Sequence, residues 1–456
     1  MSENLSEPVT LRLTTKQRSI IRHCLADMFD EGCLKPSNLD GLNRDSFVEF
    51  FSRRIVVRED GREAVLSERA YTAFRRAVDV IDSATQNDRR FGWSDVAKAV
   101  RTVYSDCFKQ DQGLETADEL VELLNAPLFN MIRRRTFVAT LDGIRLEGPG
   151  TLQLGRLSVH HSARGVIETA GIDTRDYLNY PNTERFASSV CISGTTTGTE
   201  TAATEWFKEQ ATLAAGMLAV DAGANYQRAA TTFAIEPRVD GGSPTGQSAF
   251  AHWDERSTSF TLNIMGGGPQ PLSYSAERME ELSKAPMFQH AFSVLQKSTR
   301  NSLEVPFVKA IYWYGDAHRD SIRVMQFVKY WSCLECLLGG DGRNLTNTLA
   351  ARTAALLTTG PFAPFDTDNL ADQVRLMKRL YQARSRAVHQ ASHAHVSAED
   401  CILMSACAAH VIVTVLALLH RGQDSLTSFW SKLDDLARAH GIDNDLVGVS
   451  SHPHVR

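Results

Sequence analysis

Residues 380 to 390 read LYQARSRAVHQ and bring Arg384, Arg386 and His389 close together. An imidazole can both give and take a proton near neutral pH. A guanidinium keeps its charge and suits the neutralisation of a developing oxyanion. The two together are sufficient for metal-free RNA cleavage. The ribose 2′-hydroxyl attacks the adjacent phosphorus, the imidazole moves a proton, and the guanidinium stabilises the charge. On a helix the five-residue step from Arg384 to His389 turns through about 140°, so the pair flanks a face instead of stacking on one. Ser385 and His389, four apart, do stack.

The surroundings of the pair are unusual for a chain of net charge −5. No acidic residue occurs between Asp372 and Glu399, a window that holds Arg375, Lys378, Arg379, Arg384, Arg386, His389, His393 and His395. A solvated basic helix face is the plain explanation. The functional one is a phosphate site, in which Arg375, Lys378, Arg379 and Arg386 hold or steer a polyanion. Spacing alone does not decide. Arg18 and His23, and Arg156 and His161, repeat the interval elsewhere. The latter pair falls on an expected strand, and the former has no comparable basic window.

The elements that must position Arg384 are helical. VMQFVKYWSCLECLL, residues 324 to 338, places Val324, Val328, Trp331 and Leu338 along one stripe, and Glu335 falls at its edge. A carboxylate beside an apolar face wants a partner. The candidates are Arg352 or another core-edge cation in a structural ion pair, and Arg384 or His389 in a functional one. CILMSACAAHVIVTVLALL, residues 401 to 419, has no charge and is long enough to cross a bilayer. Its Ala, Ser, Cys and Thr content, His410 and non-basic flanks point to the central helix of a bundle or one buried in a dimer. Ser397 and Asp400 are spaced to cap its start.

Periodicity assigns an α+β multidomain chain. Residues 1–133 read as a mostly helical region, in TTKQRSIIRHCLADMFDEG, SERAYTAFRRAVDVID and TADELVELLNAPLFNMIRRR. A β-hairpin is expected in RIVVREDGREAVLS, turning at Asp60-Gly61. Residues 134–271 read as a mixed α+β domain, expected to be sensory or regulatory. Its strands lie in RTFVATLDGIRLEGPGTLQLGRLSVHH, TTFAIEP and STSFTLNIM, its helix in EWFKEQATLAAGMLAV, and its loop in SGTTTGTE. That loop has no Gly-Lys-Ser/Thr and is no phosphate loop. Residues 272–441 read as an all-α helical bundle, and 442–456 as a frayed tail.

Hydrophobic residues make up 43% and charged residues 23% of 456, enough for more than one core. The acidic balance supplies no global field for nucleic acid, so any such binding must be local. MSENLSEPVT does not read as a secretory signal. Eight scattered cysteines form no disulfide framework and fit a reducing cytoplasm. Cys333 and Cys336 form a CxxC without the second pair that zinc requires, and the His393-x-His395 pair reads as loop polarity, so no metal or cofactor is expected.

AIYWYGDAH, FVKYWSCLECLL, LYQARSRAVHQ and the long small-residue helix after them resemble, in order and spacing, the Apea-like branch of the HEPN superfamily. The resemblance covers roughly residues 300 to 420. It implies an all-α HEPN-like bundle and a metal-independent endoribonuclease, of the kind that serves as a toxin or an anti-phage defence effector. It implies Arg384 and His389 as catalytic, Ser385 as the polar residue after the arginine, and Glu335 as a supporting acid. It further implies RNA, tRNA included, as substrate and a homodimer with both Arg-His motifs in one cleft. An unknown trigger would act through the N-terminal region, and no membrane is involved. Ser385 stands where Asn, Asp or His is frequent in the family, and Gln390 where Gly is common in this branch. The alternative within the same family is a non-catalytic scaffold that binds nucleic acid, nucleotide or a protein partner.

Overall fold

In the computed structural model the described residues are 11–36, 53–56, 63–85, 90–170, 181–225, 234–239, 248–252, 261–265, 271–340, 344–389 and 396–442. The expected turn at Asp60-Gly61, the His393 and His395 pair, Gln390 and residues 443–456 of the tail lie outside them. The chain is mixed α+β with a helical C-terminal region. It divides into two compact units, residues 1–136 with 195–207, and residues 137–194 with 208–456. Residues on both sides of position 271 belong to the second unit.

In the first unit, α1 (Thr15–Met28) starts at a capping box in which the Thr14 hydroxyl accepts from the Gln17 amide and Gln17 accepts from the Thr14 amide. α2 (Glu68–Thr85), α3 (Trp93–Lys109) and α4 (Ala117–Met131) follow. Their apolar faces meet in one core around Ile21, Leu25, Phe74, Val78, Val100, Tyr104, Leu120 and Leu124. The short strands β1 (Leu34–Pro36), β2 (Arg54–Val56) and β3 (Glu63–Leu66) form an antiparallel sheet in the order β1-β3-β2. β2 and β3 are the two arms of the hairpin expected there. α3 falls in the stretch expected to be mostly helical, although it is not among the runs singled out there. It is started by Asp95, which accepts from the Gly92 amide and from the Thr199 hydroxyl although it is only 8% exposed. Two donors compensate the burial of that carboxylate.

The helix expected to run through Arg133–Arg135 ends at Met131, and these arginines instead open β4 (Arg133–Asp142). Sheet pairing overrides the helical preference there, with the Thr136 and Thr195 hydroxyls bonded at 3.0 Å. β5 (Ile144–Glu147), β6 (Leu152–Leu154) and β7 (Leu157–His160) continue the expected alternation. Arg156 lies in the turn before β7 and His161 just past its end. After α5 (Ala163–Thr169) and α6 (Pro181–Ser188) comes the main correction: the SGTTTGTE stretch expected as a loop lies largely in strand β8 (Cys191–Gly198). Its glycines disguised a run of β-branched threonines that sits inside a five-stranded sheet of order β6-β7-β8-β4-β9. The EWFKEQATLAAGMLAV helix is the longer α7 (Glu200–Asn225). Of TTFAIEP the described residues are 234–237, and Glu236–Pro237 form strand β9. β10 (Ser248–His252) pairs with β11 (Thr261–Met265), and β12 (Leu272–Ser275) runs parallel to β5.

The rest is helix. α8 (Ala276–Lys284) and α9 (Pro286–Leu295) are separate because Pro286 can open a helix but not continue one. Then come α10 (Glu304–Arg319), α11 (Arg323–Leu338), α12 (Leu345–Thr359), α13 (Leu370–His389), α14 (Ala398–His420) and α15 (Leu426–Ala439). α14 is the central helix, packed against α9, α10, α11 and α12, with Met404, Ala408, Val411, Ile412 and Val415 fully buried. The Ser397 and Asp400 capping box is present. α10 and α7 cross where Gly315 and Gly216 meet, and a Cβ added at Gly315 would stand 2.8 Å from the Gly216 Cα.

Candidate functional site

Glu335 and Arg384 come together from α11 and α13, which pack side by side. Arg384 Nη2 donates to Glu335 Oε2 at 3.2 Å and lies 3.1 Å from Oε1. The side chains are 21% and 25% exposed, respectively. An ion pair open to solvent to this degree contributes on the order of 1 kcal/mol or less to stability. Its consequence is placement. Burial pushes the Glu335 carboxyl above its ordinary range, and the opposing attraction of Arg384 is too weak to reverse it.

The position of Glu335 is fixed by the end of its own helix. Arg352 on α12 donates from Nη1 to the Leu338 carbonyl at 2.9 Å, and Trp430 on α15 donates from Nε1 to the Leu337 carbonyl at 2.8 Å. These donors satisfy carbonyls that a helix C-terminus leaves open. Arg352 is held in turn by Asp434 at 2.8 and 2.9 Å and lies 4.9 Å from the centre of the Trp430 ring. Arg352 is therefore engaged with Asp434 and not with Glu335, which resolves the two partners considered for that carboxylate.

Arg384 is flanked on a second side by Tyr381, one turn earlier on α13, whose ring centre is 5.8 Å from the guanidinium carbon. Tyr381 stands edge-on to the buried Trp331 of α11, with centroids 5.3 Å apart. Trp331 and Glu335 stand one turn apart on the neighbouring helix, as their spacing predicts, whereas Tyr381 is a site neighbour outside the expected set. Its signal was available as an aromatic three residues before an arginine on a helix.

His389 is the last residue of α13 and is exposed. It has no hydrogen-bond partner among the described residues. Ser385 is half-buried on the preceding turn, and Arg386 is exposed. Arg386 and His389 occupy the final turn, where a cation is also favoured by the helix dipole. The basic window is less free than its composition suggests. Arg375 pairs with Asp372 three residues before it, and Arg379 pairs with Asp400 at the start of α14 at 2.9 Å. Lys378 has no ion pair among the described residues.

Two cavities lie elsewhere. One of about 500 Å³ is lined by His23, Asp27, Arg69 and Arg76 of the first unit. The other, of about 340 Å³, is lined in the second unit by Glu236, Arg238, Tyr312, Asp316 and Arg319. Neither is lined by Arg384 or His389. No group of three or more His, Cys, Asp or Glu side chains able to hold a metal ion occurs among the described residues. Cys333 is buried and Cys336 half-buried within α11, both as thiols. No protein-family model, curated protein sequence or solved structure matches the chain.

Proposed function

We propose that the chain is a HEPN-type, metal-independent endoribonuclease in which Arg384 and His389 act on RNA. In the cell it would be a cytoplasmic anti-phage defence or toxin effector. It would work as a homodimer through its C-terminal helices, under the control of the N-terminal region and an unidentified trigger. The observation that carries this reading is the Glu335–Arg384 pair across two helices. It holds a guanidinium on the helix that ends in an exposed imidazole. Arg384 neutralises the phosphate as charge develops on it, and His389 moves a proton. Ser385 stands between them in sequence as a polar neighbour. Lys378 and Arg386 are the cations best placed to steer the RNA backbone, since Arg375 and Arg379 already have acidic partners.

A second reading is favoured by the same pairings. With Arg384, Arg379 and Arg375 each beside a carboxylate, the surface would bind RNA, nucleotide or a protein partner without cutting, as a non-catalytic scaffold. Incubating wild type, Arg384→Ala and His389→Ala with total RNA and tRNA in EDTA separates the two. The ribonuclease reading expects wild-type cleavage and a loss of about 100-fold or more in each variant. Equal cleavage by all three proteins would remove Arg384 and His389 from the site. Binding of RNA without cleavage by wild type would favour the scaffold. Overexpression toxicity that His389→Ala abolishes would show activity even where the trigger is missing in vitro.

A further inference from the structure

Transphosphorylation of RNA moves two protons, one off the attacking 2′-oxygen and one onto the leaving 5′-oxygen. Arg384 cannot serve either transfer, because a guanidinium does not release its proton. His389 can serve one. Among the described residues, the carboxyl group in contact with Arg384 is that of Glu335, 3.1 to 3.2 Å from Nη2. A phosphate gathered by Arg384 is thereby brought beside that carboxylate.

We propose that Glu335 is the general base and His389 the general acid of the reaction, an inference that rests on the ribonuclease reading above. The bond from O2′ to phosphorus forms while the bond from phosphorus to O5′ breaks. The 2′-hydroxyl proton passes to the Glu335 carboxylate, and the His389 imidazolium gives its proton to O5′. The products are a 2′,3′-cyclic phosphate and a 5′-hydroxyl. Glu335 then returns its proton to water, and His389 takes one up.

An in-line displacement puts the attacking and leaving oxygens on opposite sides of phosphorus, so base and acid must come from different positions. Glu335 reaches Arg384 from α11, whereas His389 is carried by α13 itself, five residues beyond the arginine at the exposed end of the helix. Burial that raises the carboxyl makes it a stronger base than an exposed glutamate. The charged and titratable groups around Glu335 are few. Arg384 faces it from α13, Cys336 is next to it on α11, and Lys309 of α10 acts on that Cys336 thiol. No charged group of α12 or α14 acts on it among the described residues.

The test is the pH profile of kcat/KM for the full chain on a fluorescent single-stranded oligoribonucleotide in EDTA. Wild type should give a bell. Glu335→Gln, which can still accept a hydrogen bond from Arg384, should lose the acidic limb. It should also fall about 50-fold or more in kcat, with KM within about twofold of wild type. Glu335→Asp should keep the acidic limb at a shifted position, and thermal melting of both variants checks their folding. An intact acidic limb in Glu335→Gln, with Arg384→Ala and His389→Ala inactive, would sink the role of Glu335 and leave the ribonuclease reading standing. Wild-type rates in Arg384→Ala and His389→Ala, or a wild-type protein that neither cleaves RNA nor is toxic on overexpression, would sink both.

Discussion

Arg384 and Arg352 are each held by a carboxylate from another helix, and the difference in burial sets what each does. Arg352 is 7% exposed and its partner Asp434 17%. Removing the guanidinium leaves a half-buried carboxylate and the Leu338 carbonyl without a donor. Arg352→Ala should cost about 3 kcal/mol, read as a lowered thermal midpoint, and a change near zero would contradict the clamp. Arg384→Lys should keep the melt nearly unchanged while cleavage falls about tenfold or more, since an ammonium cannot hold a carboxylate and a phosphate with one planar fork. Similar rates in wild type and Arg384→Lys would mean that charge alone suffices. With Arg352 and Arg384 both open as partners, the need of Glu335 for a cation was legible in the sequence, because a carboxylate at the edge of an apolar stripe has few ways to be satisfied. The neutralisation of Arg375 and Arg379 was not. Asp372 and Asp400 bound the acid-free window from outside, and only the packing of α13 near the start of α14 turns one of those boundaries into a contact.

At the level of elements, strong helical patterns were readable and weak ones were not. α10 to α15 all fall in the stretch 272–441 expected to be all-α, and α11 and α12 stop at Gly339 and Gly360. β8 was lost behind its glycines. The crossing of α7 and α10 at Gly216 and Gly315 was equally hidden, since nothing in a single helix says how near its neighbour comes. Gly315→Ala should destabilise the protein by about 1 to 3 kcal/mol, because a methyl group there meets backbone rather than a side chain that can move. In α14, burial holds His410 below the ordinary imidazole range, against a smaller opposite effect of the Phe362 carbonyl. The unfolded chain therefore takes up this proton first as pH falls. The stability is fully present above the ordinary imidazole range and is lost as pH drops through it towards the folded value. The drop in thermal midpoint between about pH 7.5 and about pH 5.5 should be smaller in His410→Gln than in wild type. Equal drops would assign the acid sensitivity to other groups.

For the molecule as a whole, the helix long and apolar enough to cross a bilayer is the hub of the second unit, with 72% of its most apolar stretch buried. Assembly is the remaining expectation at this scale. A mass in solution of twice one chain is what the proposed homodimer requires, and a single-chain mass at working concentration would remove it. The division into units also governs how the protein can be dissected. The first unit takes residues 195–207 from the middle of the chain, and the second takes 137–194 from before them. A shortened gene starting near residue 272, at the beginning of the helices, would omit residues 137–194, which belong with those helices. A gene stopping near residue 133 would omit the segment that carries Thr199, the partner of Asp95. Inactivity of either fragment would then report misfolding and not the location of activity, so this chain has to be mapped by point substitution in the intact polypeptide.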